Sequence, residues 1–155
     1  MQNNLLHYLR FPQSGGKGLL QIRNNVFRCL QPYRQAQQPQ VREVFYPGLE
    51  DSPRYAANVK QVSGFGGMIS FEAESEAFAR SVLSKLKLVL FAESLGGTES
   101  LLTYPLLQTH SDVPREEALA KGINERLLRL SVGLEAPEDI IADLEQAFAA
   151  AAQEA

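Results

Sequence analysis

One nine-residue run constrains the fold more than any other part of the chain: Leu-Leu-Arg-Leu-Ser-Val-Gly-Leu-Glu at positions 127–135. Its alternation predicts a strand over 126–132 with one apolar face, formed by Leu128, Leu130 and Val132. Arg129 then lies on the opposite face, beside Leu127 and Ser131. A charge inside such a strand is costly unless it has a partner. The run therefore predicts a carboxylate partner for Arg129, which is either a ligand or an acidic neighbour in the protein.

Extended and helical patterns alternate along the rest of the chain. The extended stretches that we predict are 41–46, 67–72, a buried stretch at 88–91, and 101–104. The predicted helices are 19–38, 53–60 with Pro53 in the first turn, one that follows the N-cap Ser75, 116–121 ended by Gly122, and one that begins near Pro137. Residues 149–155 are expected to fray.

Turns of varied length join these elements, which favours an α+β fold over a regular parallel arrangement. We predict a mostly antiparallel sheet that is covered by helices on one face. The expected organisation is an irregular N-terminal segment, 1–18, followed by a single α+β domain, 19–155.

Composition excludes several classes of protein. Hydrophobic residues make up 45% of the 155 residues, which argues against wholesale disorder. No apolar run approaches the roughly 18 residues that a membrane span needs. Cys29 is the only cysteine, so no internal disulfide forms, and no signal-peptide pattern precedes it. We therefore predict a cytoplasmic protein. One cysteine and two distant histidines, His7 and His110, predict no metal site.

Charge is distributed unevenly along the chain. Residues 1–42 hold six basic residues and no acidic one, whereas the remainder holds nine basic and eighteen acidic residues, a net charge of −9. Such a split is found in nucleic-acid arms, targeting presequences and partner-binding segments. Because the six charges are spaced out, we favour packing against the acidic remainder, in the same chain or a second copy, over binding to nucleic acid.

Two further runs contain glycine next to extended segments. They are Gly-Phe-Gly-Gly-Met-Ile-Ser-Phe at 64–71 and Glu-Ser-Leu-Gly-Gly-Thr-Glu-Ser-Leu at 93–101. Together with run 127–135, they resemble the C-terminal domain of the trans-sulfuration enzymes. That family comprises the pyridoxal-phosphate-dependent cystathionine γ-lyases, cystathionine γ-synthases and methionine γ-lyases. The resemblance implies the small α+β domain of a fold-type I pyridoxal-phosphate enzyme, and it extends over 19–148.

The resemblance also implies which residues bind substrate. Arg129 takes the place of the arginine that holds the α-carboxylate of the amino-acid substrate, and Ser94 assists it through its hydroxyl or main chain. Glu93 lies near the distal end of the substrate, as in the γ-lyase and γ-synthase branch. Leu95 and Thr109 complete the implied set. Residue type alone favours an exposed strand arginine with an acidic neighbour at Arg129 and an ordinary turn at 94–97, and only the motifs favour a substrate-binding role.

No cofactor-binding or catalytic residue is predicted in this chain. The family's Schiff-base lysine lies in a Ser-x-Thr-Lys context, and none of the five lysines has it: Lys17, Lys60, Lys85, Lys87 and Lys121. The glycines at 64–67 do not open a helix, as a phosphate-binding loop requires. Pyridoxal phosphate is the cofactor of the parent family. Because this chain lacks the lysine context and a phosphate-binding loop, we expect the chain by itself to bind no cofactor.

Three hypotheses for function follow. The chain is a stand-alone or truncated C-terminal domain that retains carboxylate-binding residues, is inactive alone and self-associates. Alternatively, it is half of a split enzyme that a separate pyridoxal-phosphate domain completes. The third hypothesis is a module that binds an amino acid, a protein or RNA.

Overall fold

The computed structural model describes residues 40–62 and 64–154. The strands are β1 (Val41–Phe45), β2 (Met68–Ala73), β3 (Leu90–Phe91), β4 (Leu101–Thr103) and β5 (Leu127–Ser131). The helices are α1 (Tyr55–Gln61), α2 (Glu76–Lys85), α3 (Arg115–Ala120) and α4 (Pro137–Ala151). The predicted segment 1–18 and the predicted helix 19–38 lie outside the described residues.

The five strands form one sheet in the order β1-β2-β5-β4-β3. Three of the four pairings are antiparallel, and only β3 and β4 run parallel. Helices α2 and α4 pack on each other and on one face of this sheet. The predicted α+β architecture is therefore confirmed.

An aromatic cluster joins the two covering helices to the sheet. The ring of Phe148 in α4 lies 6.0 Å from that of Phe71 in β2 and 5.7 Å from that of Phe78 in α2, measured between ring centroids. The apolar face of β5 that the alternation predicts is buried in the same core. Such edge-to-face and tilted pairs are favourable, and they contribute to the packing of the helices on the sheet.

Helix α2 begins as its sequence predicts. The Ser75 side chain accepts a hydrogen bond from the main-chain nitrogen of Phe78 at 3.0 Å, which is the predicted N-cap. Gly122, with φ +78°, follows α3 and ends it.

Three details of the predicted elements are wrong. The predicted helix 53–60 begins at Tyr55, because Pro53 lies in a turn that precedes it. The segment 149–155 is helical as far as Ala151, which is fully buried. The stretch 88–91 is not a buried strand: Val89 is 2% exposed, but Leu90 and Phe91 are 50% and 51% exposed. As an edge strand, β3 has a sheet neighbour on one side only.

No helix within residues 40–62 and 64–154 is long and apolar enough to cross a membrane.

Candidate functional site

Arg129 lies at the centre of the sheet, on the face away from α2 and α4. Its direct cross-strand partners are Ser70 in β2 and Thr103 in β4. Side chains opposite one another in a sheet point to the same face. Strand pairing therefore places a hydroxyl-bearing residue directly opposite Arg129 on each side.

The contacts of Arg129 bear on its predicted partner, which is either a ligand carboxylate or an acidic neighbour in the protein. The residue is half-buried, and Nη2 lies 3.4 Å from Oγ1 of Thr103, a long hydrogen bond. Its Nε is buried and makes no hydrogen bond. No carboxylate in the described part of the chain lies within 4 Å of the guanidinium, so the expectation of an acidic neighbour is not met there. A buried cationic group with unused donors is ready to accept an anion from outside.

Two hydroxyls of the sheet anchor the loop that carries the implied serine. Oγ1 of Thr103 donates to the carbonyl of Ala92 at 2.8 Å. Oγ of Ser131, two residues from Arg129 on the same face, accepts from the main-chain nitrogen of Gly96 at 3.0 Å. Glu93, Ser94 and Leu95, all exposed, occupy the span between these anchors. The structure thus brings three of the implied residues to the face of the sheet that holds Arg129.

The far end of this loop is attached to the end of β5. The carboxylate of Glu135 accepts from the main-chain nitrogen of Ser100 at 2.6 Å and from its Oγ at 2.8 Å. Oγ of Ser100 accepts in turn from the nitrogen of Gly133 at 2.9 Å, and the nitrogen of Leu134 donates to the carbonyl of Thr98 at 2.8 Å. Run 93–101 and run 127–135 therefore form one hydrogen-bonded unit.

The described hydrogen bonds of Thr109 are local and do not involve this unit. Its Oγ1 is 2.8 Å from Nδ1 of His110 and 3.5 Å from the carbonyl of Pro105, both within the turn that follows β4. No hydrogen bond in the described part of the chain joins Thr109 to Arg129 or Ser94. Its implied role stays a prediction.

Four residues that the sequence did not single out for function support the site: Ser100, Thr103, Ser131 and Glu135. The sequence contained a signal for two of them, because Thr103 and Ser131 are hydroxyl residues within leucine-rich strands. Both are almost fully buried, at 0% and 4% exposure. A buried hydroxyl needs a hydrogen-bond partner, and which loop supplies it depends on tertiary structure.

A cleft of about 570 Å³ lies elsewhere, beside β1. Its lining includes Arg42, Glu43, Asp51 and Arg54 but none of the implied substrate-binding residues. It is therefore not part of the site around Arg129.

Comparison with known proteins identifies the family. The sequence model of the Cys/Met metabolism PLP-dependent enzymes matches residues 30–149. The chain belongs to this family. Among curated members, cystathionine gamma-synthase of Haemophilus influenzae is 50% identical over 112 residues, which are 72% of this chain and 26% of that protein. L-methionine gamma-lyase of Fusobacterium nucleatum is 51% identical over 109 residues, 70% of this chain and 28% of that one. The predicted family and branch are confirmed.

Solved structures of the Cys/Met metabolism enzymes contain the same fold. Cystathionine gamma synthase from Xanthomonas oryzae pv. oryzae, in complex with cystathionine, superposes with a TM-score of 0.83 at 36% identity. The match covers 89% of this chain and 35% of that one. The chain thus spans about a quarter of the length of the curated relatives and about a third of this structure.

The lysines of the described residues are Lys60, Lys85, Lys87 and Lys121. Lys85 pairs with Glu154, and Nζ of Lys121 lies 2.6 Å from Oε1 of Glu117. Lys60 and Lys87 are exposed, and no hydrogen bond or ion pair in the described residues joins any of the four to the unit around Arg129. Residues 40–62 and 64–154 hold no cluster of three His, Cys, Asp or Glu side chains suited to a metal ion either.

Proposed function

We propose that this chain is the C-terminal, substrate-binding part of a cystathionine γ-synthase or γ-lyase type enzyme. In this role Arg129 binds the α-carboxylate of an amino-acid substrate, and the loop with Glu93, Ser94 and Leu95 forms the adjacent wall. Thr109 is the fifth expected substrate-binding residue. The reaction itself needs pyridoxal phosphate, which supplies the electron sink for chemistry at the amino-acid carbons.

The observation that supports this proposal is the burial and the incomplete hydrogen bonding of the Arg129 guanidinium. It is half-buried on a rigid central strand, its Nε makes no hydrogen bond, and its one described polar contact is the 3.4 Å contact with Thr103. Arginine presents donors in a fixed fork that matches a carboxylate. A group of this kind stabilises a bound anion more than it stabilises the fold, because no internal carboxylate is within reach in the described residues.

Catalysis requires a cofactor domain that the described residues do not provide. We propose that this domain is supplied either by a longer chain of which this sequence is part or by a separate polypeptide. The exposed Leu90 and Phe91 of β3, together with Leu95, support an apolar contact with another domain or a second copy. The single Cys29 supports a cytoplasmic location.

The carboxylate site is tested by titrating the ¹⁵N-labelled chain with L-cystathionine and following the amide and arginine Nε resonances by NMR. We expect saturable shifts at Arg129 and at residues 93–96. Arg129→Lys keeps the positive charge but loses the paired guanidinium donors that match a carboxylate. We expect it to weaken binding about tenfold or more, because the loss of one charge-assisted hydrogen bond costs ~1.5 kcal/mol. Arg54→Ala, at an exposed arginine outside the site, is the matched control and should bind as the wild type does.

Shifts that do not saturate, or equal affinities for the wild type and Arg129→Lys, would contradict the proposal. The need for a cofactor domain is tested separately, by assaying C–S bond cleavage with pyridoxal phosphate. We expect no turnover by this chain alone and turnover after mixing with the cofactor domain of the Haemophilus influenzae relative. Turnover by the chain alone, with one lysine labelled after borohydride reduction, would overturn this part.

A further inference from the structure

We propose that Thr103 and Ser131 are positioning residues for the carboxylate site. Their hydroxyls hold the loop 92–96 against the sheet face on which Arg129 lies, so that Ser94 and Arg129 are presented to the same carboxylate. This inference rests on the proposed function and adds two residues to it that do not themselves touch the substrate.

The burial of the two hydroxyls is the first argument. Thr103 is fully buried and Ser131 is 4% exposed, although both lie on the sheet face away from the covering helices. Burying a hydroxyl is unfavourable unless it is hydrogen-bonded. Each of these hydroxyls bonds to the loop backbone, at Ala92 and at Gly96 respectively. The loop thus covers this part of the face, and the two hydroxyls are the side-chain groups of the sheet that attach it.

The direction of the hydrogen bonds is the second argument. A threonine hydroxyl has one proton and two acceptor lone pairs. At Thr103 the proton goes to the carbonyl of Ala92 at 2.8 Å, which leaves a lone pair for Nη2 of Arg129 at 3.4 Å. One hydroxyl therefore contacts both the loop and the guanidinium. Ala92 is also held to β4 by its main-chain nitrogen, which donates to the carbonyl of Leu102 at 3.3 Å. Removing the Thr103 hydroxyl therefore takes away one of the two hydrogen bonds between Ala92 and β4, and the described polar contact of Arg129 at the same time.

The spacing of the two anchors is the third argument. Ala92 and Gly96 enclose only three residues, and Ser94 is the middle one. Main-chain atoms on both sides of Ser94 are thereby held to β4 and β5, the strand next to Arg129 and the strand that carries it. Pre-organisation of this kind lowers the entropy lost when a ligand binds. We therefore expect the hydroxyls of Thr103 and Ser131 to increase the affinity for the ligand although they do not touch it.

Four single-residue variants test the inference. Thr103→Val keeps the shape and removes the hydroxyl, Thr103→Ser restores the hydroxyl, and Ser131→Ala removes the acceptor for Gly96. Ser84→Ala removes an exposed helix hydroxyl that bonds to the carbonyl of Ser81, and it is the matched control. Two properties are measured for each full-length variant: amide hydrogen exchange at residues 93–96 without ligand, and affinity for L-cystathionine by NMR.

We expect Thr103→Val to speed exchange at residues 93–96 and to weaken L-cystathionine binding, each about tenfold, since one hydrogen bond of this kind is lost. Ser131→Ala should act in the same direction, with the largest change in exchange at Gly96. Thr103→Ser should recover most of both properties, a rescue that a general loss of packing would not show. If Thr103→Val does not fold, Ser131→Ala carries the same test.

Faster exchange with unchanged affinity in Thr103→Val and Ser131→Ala would overturn the inference, and so would unchanged exchange. In both cases a loss of binding in Arg129→Lys would leave the proposed function intact. Absence of binding in the wild type would instead overturn the proposed function itself, and the inference with it. The two failures are therefore distinguishable.

Discussion

Glu135 and Ser100 are joined by two hydrogen bonds, from the main-chain nitrogen and Oγ of the serine to the two carboxylate oxygens of the glutamate, at 2.6 and 2.8 Å. The two residues are 35 positions apart. Ser100 is the last residue but one of run 93–101, and Glu135 is the last residue of run 127–135. Their contact therefore joins the loop that holds Ser94 to the segment that follows the strand of Arg129. We expect this contact to stabilise the site.

Glu135→Ala is expected to lower the free energy of unfolding by about 2 kcal/mol, because it leaves the nitrogen and Oγ of Ser100 without their acceptor. Urea unfolding followed by circular dichroism measures this. Glu145→Ala, at an exposed glutamate of α4, is the control and should remain within about 0.5 kcal/mol of the wild type. Equal effects of the two substitutions would mean that the contact with Ser100 contributes nothing to stability.

Two glycines of the unit should respond differently to alanine. A Cβ at Gly133 would lie 2.4 Å from the carbonyl oxygen of Thr98 and 2.5 Å from the carbonyl carbon of Glu99, so backbone would have to move. We expect Gly133→Ala to cost about 3 kcal/mol. Gly96 meets no atom within 4 Å but has φ +73°, so Gly96→Ala should cost only about 1–2 kcal/mol. Thermal unfolding of both variants checks this order, and a reversed order would contradict the close approach at Gly133.

Asp143 in α4 accepts hydrogen bonds from the main-chain nitrogens of Lys87, Leu88 and Val89 at 2.8–2.9 Å and from Nε2 of Gln146 at 3.0 Å. Burial by itself would raise the pKa of Asp143. The hydrogen bonds, that from Val89 foremost, outweigh burial and hold the pKa of this carboxyl below its ordinary value of 3.8. The charged form is therefore the one that the fold stabilises.

Acid should therefore destabilise the fold through Asp143. The unfolded chain takes up this proton at a higher pH than the folded chain, so the contribution is complete well above pH 3.8 and is lost as the pH falls below it. We expect Asp143→Asn to be less stable near neutral pH and to have a shallower decline in stability between about pH 5 and about pH 3. Urea unfolding across this range is the measurement. The exposed Asp112→Asn is the control, and parallel declines for Asp143→Asn and the wild type would refute the prediction.

Arg129 should be dispensable for folding although it is needed for the proposed function. Arg129→Met is expected to keep the free energy of unfolding within about 0.5 kcal/mol of the wild type or to raise it, because no carboxylate in the described residues pairs with its guanidinium. Arg126→Met is the matched control, since Nη2 of Arg126 donates to Oε2 of Glu72 at 3.3 Å and its loss should cost about 1 kcal/mol. Chemical denaturation compares the two. A larger loss in Arg129→Met would show that Arg129 supports the fold.

Much of the fold was predictable because its signals are local. Ser75 predicts the start of α2, and it caps a main-chain nitrogen only three residues further along. The alternation around Arg129 predicts both the strand β5 and the sheet face on which Arg129 lies. The apolar run 88–91 was misleading for the same reason. Its residue types predict burial, but exposure of Leu90 and Phe91 depends on what lies beyond β3, and a local pattern contains nothing about that.

The sequence by itself determined the family, because the runs 64–71, 93–101 and 127–135 carry its motifs. It also determined the order of the described elements and the position of Arg129 on the face away from the covering helices, because these depend on residue type and on periods of two and 3.6 residues. The tertiary structure alone decided that Thr103 and Ser131 anchor the loop of Ser94, and that Glu135 and Asp143 hold distant backbone. Those contacts join residues 11 to 56 positions apart, and strand pairing and helix packing bring their atoms within hydrogen-bond distance. A hydroxyl or carboxylate in a sequence indicates that a partner is needed, and only the folded chain selects it.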